Sequence, residues 1–121
     1  MRFLIVDDSR ATRRLVRRVL RHAGHNETEI NEAENGEDAL TAIQGHLPDV
    51  VISDWHMPVM SGIDLLRTLH HQGIDIKFGF VSSAQTSEMR EQAELEGALF
   101  LLLKPFTIES YKQILSAIVR P

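Results

Sequence analysis

Cysteine is missing from all 121 residues, and with it go disulfides, thiolate metal sites and cysteine nucleophiles. Any chemistry has to use oxygen and nitrogen groups. Long apolar runs are missing too: none approaches the ~20 residues that a membrane-spanning helix needs. Met1-Arg2-Phe3 enters a strand-like segment without a signal-peptide pattern, so a soluble, cytoplasmic protein with no membrane insertion is expected. Nor is there an internal repeat, a low-complexity tract or a linker rich in Pro, Gly or Ser. The 43% apolar content suffices for one buried core, and the chain is too short for two ordinary domains. A single domain over residues 1–121 is expected, with Pro121 closing the last amphipathic stretch and no room for an appended effector.

The net charge of −4 conceals an asymmetry, because Arg10, Arg13, Arg14, Arg17, Arg18 and Arg21 supply six of the 13 Lys and Arg residues. On an otherwise acidic chain this run reads as a stripe facing solvent, and nucleic acid is disfavoured as a partner.

Short apolar runs alternate with helical periods. Phe3–Val6, Val50–Ile52, Phe78–Val81 and Ala98–Leu103 are nearly all apolar, as central parallel strands covered on both faces must be. Thr28–Ala33, with Ile30 and Ala33 as its apolar members, suits an edge. Between them Ser9 can cap a helix with the stripe Leu15, Val16, Val19, Leu20 and Ala23, ending at Gly24. Asn35 can cap another, with Glu37 and Asp38 in its first turn. Ile63, Leu66, Leu69 and His70 follow Gly62, a further helix falls within Thr86–Glu96, and Thr107 precedes Ile108, Tyr111, Ile114, Leu115 and Ile118. Such alternation predicts an α/β fold: a doubly wound, five-stranded parallel sheet of order 2-1-3-4-5, flavodoxin-like in plan, with its crevice beyond the carboxyl ends of strands one and three.

The polar candidates gather at that end. The first strand runs into Asp7-Asp8, the third into Asp54, the fourth into Ser82-Ser83 and the fifth into Lys104-Pro105. Three converging carboxylates repel one another unless a cation neutralises them, and an all-oxygen set suits Mg²⁺. A carboxylate can also attack phosphorus to give an acyl phosphate, with Lys104 and a Ser82 or Ser83 hydroxyl stabilising the transferring oxygens.

The segments Phe3–Ser9 (FLIVDDS), Val50–Gly62 (VVISDWHMPVMSG), Val81–Ala84 (VSSA) and Lys104-Pro105-Phe106 resemble those of two-component response-regulator receiver domains, most closely the stand-alone, CheY-like chemotaxis type. The resemblance implies that Asp54 is the phosphoacceptor, able to self-phosphorylate and autodephosphorylate. By the same resemblance Asp8, Asp54 and the backbone carbonyl of His56 hold Mg²⁺, with Asp7 acting through water. Ser82, 22 residues before Lys104, takes the hydroxyl position, and Lys104-Pro105 matches a cis peptide. It further implies a signalling protein rather than an enzyme. The donor upstream would be a histidine kinase or histidine phosphotransfer protein, and the target downstream a protein such as a flagellar motor switch, a kinase or another enzyme. Two departures stand out. Leu101 occupies the place of the family's switch aromatic, with Phe100 beside it, and the residues flanking the pocket are His56 and Ala84.

Other readings fit less well. A phosphatase of the haloacid dehalogenase kind spaces its aspartates two apart and needs a cap segment, whereas Asp7 and Asp8 are adjacent. A flavin module would need a Ser/Thr/Gly-rich phosphate loop where the acidic pair stands. A pseudo-receiver, kept for protein interaction, would have lost a pocket residue. His22, His25, His46, His70 and His71 lack metal-site spacing and read as structural, Trp55 as partly covering the site, and Tyr111 as core.

Overall fold

The computed structural model describes residues 1–118; Pro121, expected to close the domain, lies outside the described residues. Five strands alternate with five α-helices: β1 (Phe3–Val6), α1 (Arg10–His22), β2 (Ile30–Ala33), α2 (Gly36–Gly45), β3 (Val50–Asp54), α3 (Gly62–His71), β4 (Lys77–Ser82), α4 (Ser87–Leu95), β5 (Leu101–Leu103) and α5 (Ile108–Ile118). The strands form one parallel sheet in the order β2-β1-β3-β4-β5.

Side-chain alternation along each buried strand feeds two cores. Leu4, Val6, Val51, Phe78 and Phe80 face α2, α3 and α4, while Phe3, Ile5, Val50, Ile52 and Val81 face α1 and α5. The helices start where short polar side chains accept a first-turn amide: Ser9 from Thr12, Asn35 from Asp38, Ser61 from Asp64 and Thr86 from Met89.

Several sequence expectations need correction. Residues 98–103 do not form a central strand. β5 is a three-residue edge with Leu103 52% exposed. Part of the reason is local: Gly97, at φ 76°, turns the chain so that the Ala98 amide bonds the Ala93 carbonyl and closes α4. Residues 27–29 form a 3-10 turn ahead of β2, whose Ile30 and Ala33 are buried as expected of an edge strand. Ala23, His70, Ile108 and Leu115 face solvent, whereas Leu65 joins the buried stripe of α3.

Phe100 and Leu101 lie on opposite faces. Leu101 packs toward α4, and the Phe100 ring lies over Gly79 on the α5 side, where a Cβ would overlap it. Gly79→Ala is therefore expected to cost about 1–3 kcal/mol through overpacking. Thermal unfolding of Gly79→Ala, Phe100→Ala and the double variant should show the second change relieving the first. An unaltered midpoint in Gly79→Ala would remove this packing account.

Candidate functional site

All the polar strand ends predicted from sequence meet at one edge of the sheet. β1 delivers Asp7 and Asp8, and the Asp7 amide bonds the Ala33 carbonyl at 3.1 Å. Asp54 is the last residue of β3, Ser82 the last of β4, and Lys104 follows β5, its amide bonding the Ser82 carbonyl at 2.9 Å. Asp7 is further held by its own neighbourhood. Its Oδ1 accepts the Ser9 amide at 2.8 Å, and its carbonyl accepts from Arg13 at 2.7 Å. Around Asp54, the Ser53 hydroxyl donates to the Asp54 carbonyl at 2.9 Å and the Gly62 amide bonds the Trp55 carbonyl at 2.8 Å. Gly62 has to lack a side chain, because a Cβ there would overlap the Asp54 carbonyl.

Asp7 and Asp54 are buried and Asp8 is exposed, yet carboxylate oxygens of all three lie within 4.8 Å of one another. The cation among them is Lys104, whose Nζ lies 3.1 Å from Asp7 and 3.1 Å from Asp54. Burial alone would lower the Lys104 pKa, but its hydrogen bonds and charge attraction to the two aspartates prevail and raise it. Burial likewise pushes the Asp7 carboxyl up; the Ser9 hydrogen bond opposes this, the neighbouring Asp54 adds to it, and Lys104 opposes without cancelling it. Hard, anionic oxygen donors this close fit a divalent cation such as Mg²⁺ better than any softer metal. Ser82 is fully buried, its Oγ accepting the Ala84 amide at 3.3 Å.

His56 and Ala84 flank this edge and are exposed, Leu101 is half-buried, and Lys104-Pro105 is cis. Trp55 does not cover the site. Alternation along β3 sends it with Val51 into the core, where its ring lies 4.7 Å from that of Phe80. Tyr111 is core, as expected, and its hydroxyl meets His25 Nε2 at 2.6 Å. His70 pairs with Glu96 at 3.1 Å. The arginine run is not one solvated stripe, because Arg13 and Arg17 turn onto Glu32.

Sequence reasoning missed two supports around the acids, Arg13 on the Asp7 carbonyl and Ser53 on the Asp54 carbonyl, and, away from them, Gln85, whose Nε2 donates to the Leu101 carbonyl. Position in the motif signalled Gly62, but long side chains reaching other elements left no local pattern.

A parallel sheet of order 2-1-3-4-5, with an acidic pair after the first strand, an aspartate ending the third and a cis Lys-Pro after the fifth, is the plan of a receiver domain. The chain belongs to the response regulator receiver domain family, whose match spans residues 3–116. It is 37% identical to chemotaxis protein CheY-3 of Vibrio cholerae, over 98% of this chain and 91% of that protein. It is 35% identical to response regulator MprA of a Mycobacterium species, over 99% of this chain but 51% of that one. Among solved structures, Vibrio cholerae CheY4 superimposes with a TM-score of 0.86 at 30% identity, covering 98% of each chain. The CheX-CheY-BeF3-Mg complex of Borrelia burgdorferi gives a TM-score of 0.89 at 25% identity, covering 99% of this chain and 90% of that one. Receiver domains are signalling domains that typically bind Mg²⁺. Among the described residues no helix is long and apolar enough to cross a membrane.

The Asp7 shift has a consequence for stability. A carboxyl whose pKa is raised by folding stabilises the fold fully below its ordinary 3.8, and that contribution is lost as pH rises through the raised value. Asp7→Asn should therefore unfold at higher temperature than the parent at neutral pH in chelator. The gap should close as pH falls below the ordinary carboxyl range. A variant less stable at neutral pH would mean that the Lys104 pair outweighs burial.

Proposed function

We propose that this receiver is the phosphoacceptor of a two-component pathway, with Asp54 taking a phosphoryl group from a histidine kinase or histidine phosphotransfer protein. The observation that carries the reading is Asp54 at a strand end, 3.1 Å from Lys104 and within one acidic cluster with Asp7 and Asp8. In the transfer, an Asp54 carboxylate oxygen attacks phosphorus, the phosphorus–nitrogen bond of the phosphohistidine breaks, and its electron pair returns to the donor imidazole. Lys104 exchanges its hold on Asp54 for a phosphoryl oxygen, and the Ser82 hydroxyl turns from the Ala84 amide to donate to another.

Asp8, Asp54 and the His56 carbonyl would hold Mg²⁺, with Asp7 behind them; when bound, the ion supplies positive charge against the transferring oxygens. Asp7 keeps Lys104 oriented and Arg13 keeps Asp7 in place. Self-phosphorylation from small donors and autodephosphorylation at Asp54 belong to this reading.

Output is through a protein partner at the face of α4, β5 and α5, which the chain enters just after Ser82 at the end of β4. The similarity to CheY-3 favours a chemotaxis target such as the flagellar motor switch, and the Borrelia relative in complex with CheX supports a protein target in general. The setting is cytoplasmic.

Incubation with Mg²⁺ and acetyl phosphate, followed by trapping and mass mapping, should place the label on Asp54. Asp54→Asn should lose it by roughly a hundredfold or more, and label persisting there at the parent level would end the proposal. Separately, Mg²⁺ should perturb the fluorescence of Trp55, the single tryptophan, which adjoins Asp54. Asp8→Ala should move that titration midpoint upward by roughly tenfold or more; an unmoved midpoint would put the metal elsewhere.

A further inference from the structure

The phosphoacceptor chemistry takes up the carboxyl edge of the sheet and makes no use of the opposite, amino-terminal end. There a cleft of about 400 Å³ opens between the β2 edge and the end of α2. It is more enclosed than the clefts beside α1, α4 and α5. Arg2, Leu4, Asn31, Ala42, His46 and Pro48 line it, together with Phe3 and Glu32.

The fold accounts for the opening. Asn31 and Ala33 point to the same side of β2. Ala33 is buried there with the residues that face α2, whereas Asn31 is exposed, because the last turns of α2 offer it only the small side chain of Ala42. Beside it the backbone of Arg2 is held firmly. Its amide donates to the Asp49 carboxylate at 2.7 Å, and its carbonyl accepts from the amides of Asp49 and Val50 at 2.9 and 3.1 Å.

Charge narrows what the cleft can take. Its one carboxylate, Glu32, is already paired with Arg13 at 2.9 Å and Arg17 at 2.7 Å. Among the described residues the Arg2 guanidinium, the Asn31 amide and the His46 imidazole have no hydrogen-bond or ion-pair partner. A cation and neutral donors therefore converge on a cleft whose other walls are apolar.

We infer that this cleft binds a small aromatic carboxylate. Its volume admits one ring-sized body, and Leu4, Ala42 and Pro48 suit the faces of a ring. Arg2 suits the carboxylate through a forked, charge-assisted contact, and Asn31 can donate a further hydrogen bond. A neutral ring would leave Arg2 without its anion, and an inorganic anion would leave the apolar walls in water. An extended peptide pairing with the β2 edge is disfavoured, because the Ile30 amide bonds the Glu27 carbonyl and the Ile30 carbonyl accepts from Arg17 at 2.9 Å.

The probe is benzoate, with benzamide as an uncharged control of nearly the same shape, each titrated into isotope-labelled protein while backbone amide shifts are followed. Benzoate should saturate with a dissociation constant on the order of 1 mM, the scale set by its few non-hydrogen atoms. Its shifts should centre on Arg2, Leu4, Asn31, Ala42 and His46, and benzamide should bind roughly fivefold or more weakly. Arg2→Gln should weaken benzoate by roughly fivefold or more and Arg2→Lys by less. Ala42→Phe should abolish saturation by filling the cleft. Circular dichroism checks that each variant folds, and Arg2→Gln, at an exposed position, decides the matter if Ala42→Phe does not. No saturable shift, shifts centred elsewhere, equal affinity for benzamide, or unchanged benzoate binding in Arg2→Gln would overturn the proposal.

Discussion

Lys104 is the charge on which the carboxyl edge of this sheet depends. Its ammonium lies 3.1 Å from both Asp7 and Asp54, while three carboxylates crowd within 4.8 Å. At an effective dielectric of about 20, each of those attractions is at most roughly 5 kcal/mol before solvent screening, and repulsion among the carboxylates opposes it, weakest for the exposed Asp8. One lysine thus faces three carboxylates, and its attraction offsets their mutual repulsion only in part. Burial first, and then the neighbouring Asp54, still push the Asp7 carboxyl up against the Ser9 hydrogen bond and Lys104. A second cation, or an incoming group that draws Lys104 away from Asp54, changes the balance by amounts of the same order.

That sensitivity is useful only if the groups cannot drift apart, and the fold supplies the restraint. Asp54 and Ser82 are strand termini fixed by pairing with neighbours, so their separation is set by the ladder between β3 and β4. Asp7 and Asp8 leave β1 directly into the Ser9 cap of α1, which holds Asp7 through the Ser9 amide. Across the crevice, Gly62 lets the start of α3 press on the Asp54 carbonyl. Each functional group therefore inherits its position from a rigid element, as a charge-balanced site requires.

How much of this was legible follows from how local each cause is. Strands covered on both faces write themselves as apolar runs, and the caps Ser9 and Asn35 sit beside the helices they start, so the order of elements and the strand-end acids could be read directly. Residues 98–103 misled because apolar content does not distinguish a central strand from an edge whose first residues are spent closing α4. Trp55 misled because adjacency to Asp54 suggested the pocket, while alternation along β3 puts its ring in the opposite direction. The Arg13, Arg17 and Glu32 contacts join α1 to β2, 15 and 19 residues apart, and no short pattern encodes them.

The departure at Leu101 gains meaning from what surrounds it. A ring at that position would move between pocket and surface; here the nearby ring, Phe100, is committed to the other face over Gly79, where no side chain competes for its space. The tie between the site and β5 is instead polar. Gln85, three residues beyond Ser82, donates its side-chain amide to the Leu101 carbonyl on the open edge of the sheet, and its Oε1 accepts from Arg90 of α4 at 3.3 Å. One side chain thus spans the β4–α4 connection, the edge of β5 and the first turns of α4. Ser82 is fully buried and lies three residues before Gln85, so the hydroxyl and the Gln85 contact sit on one short connection. Coupling requires contacts that differ between two states. A hydrogen bond to a half-buried carbonyl on the open edge of the sheet, contributing about 1 kcal/mol net, is a contact that can be surrendered at modest cost. Within the proposed function, the contact that would link the β4–α4 connection to β5 is this Gln85 hydrogen bond, and Leu101 is left as packing against the α4 side of the core.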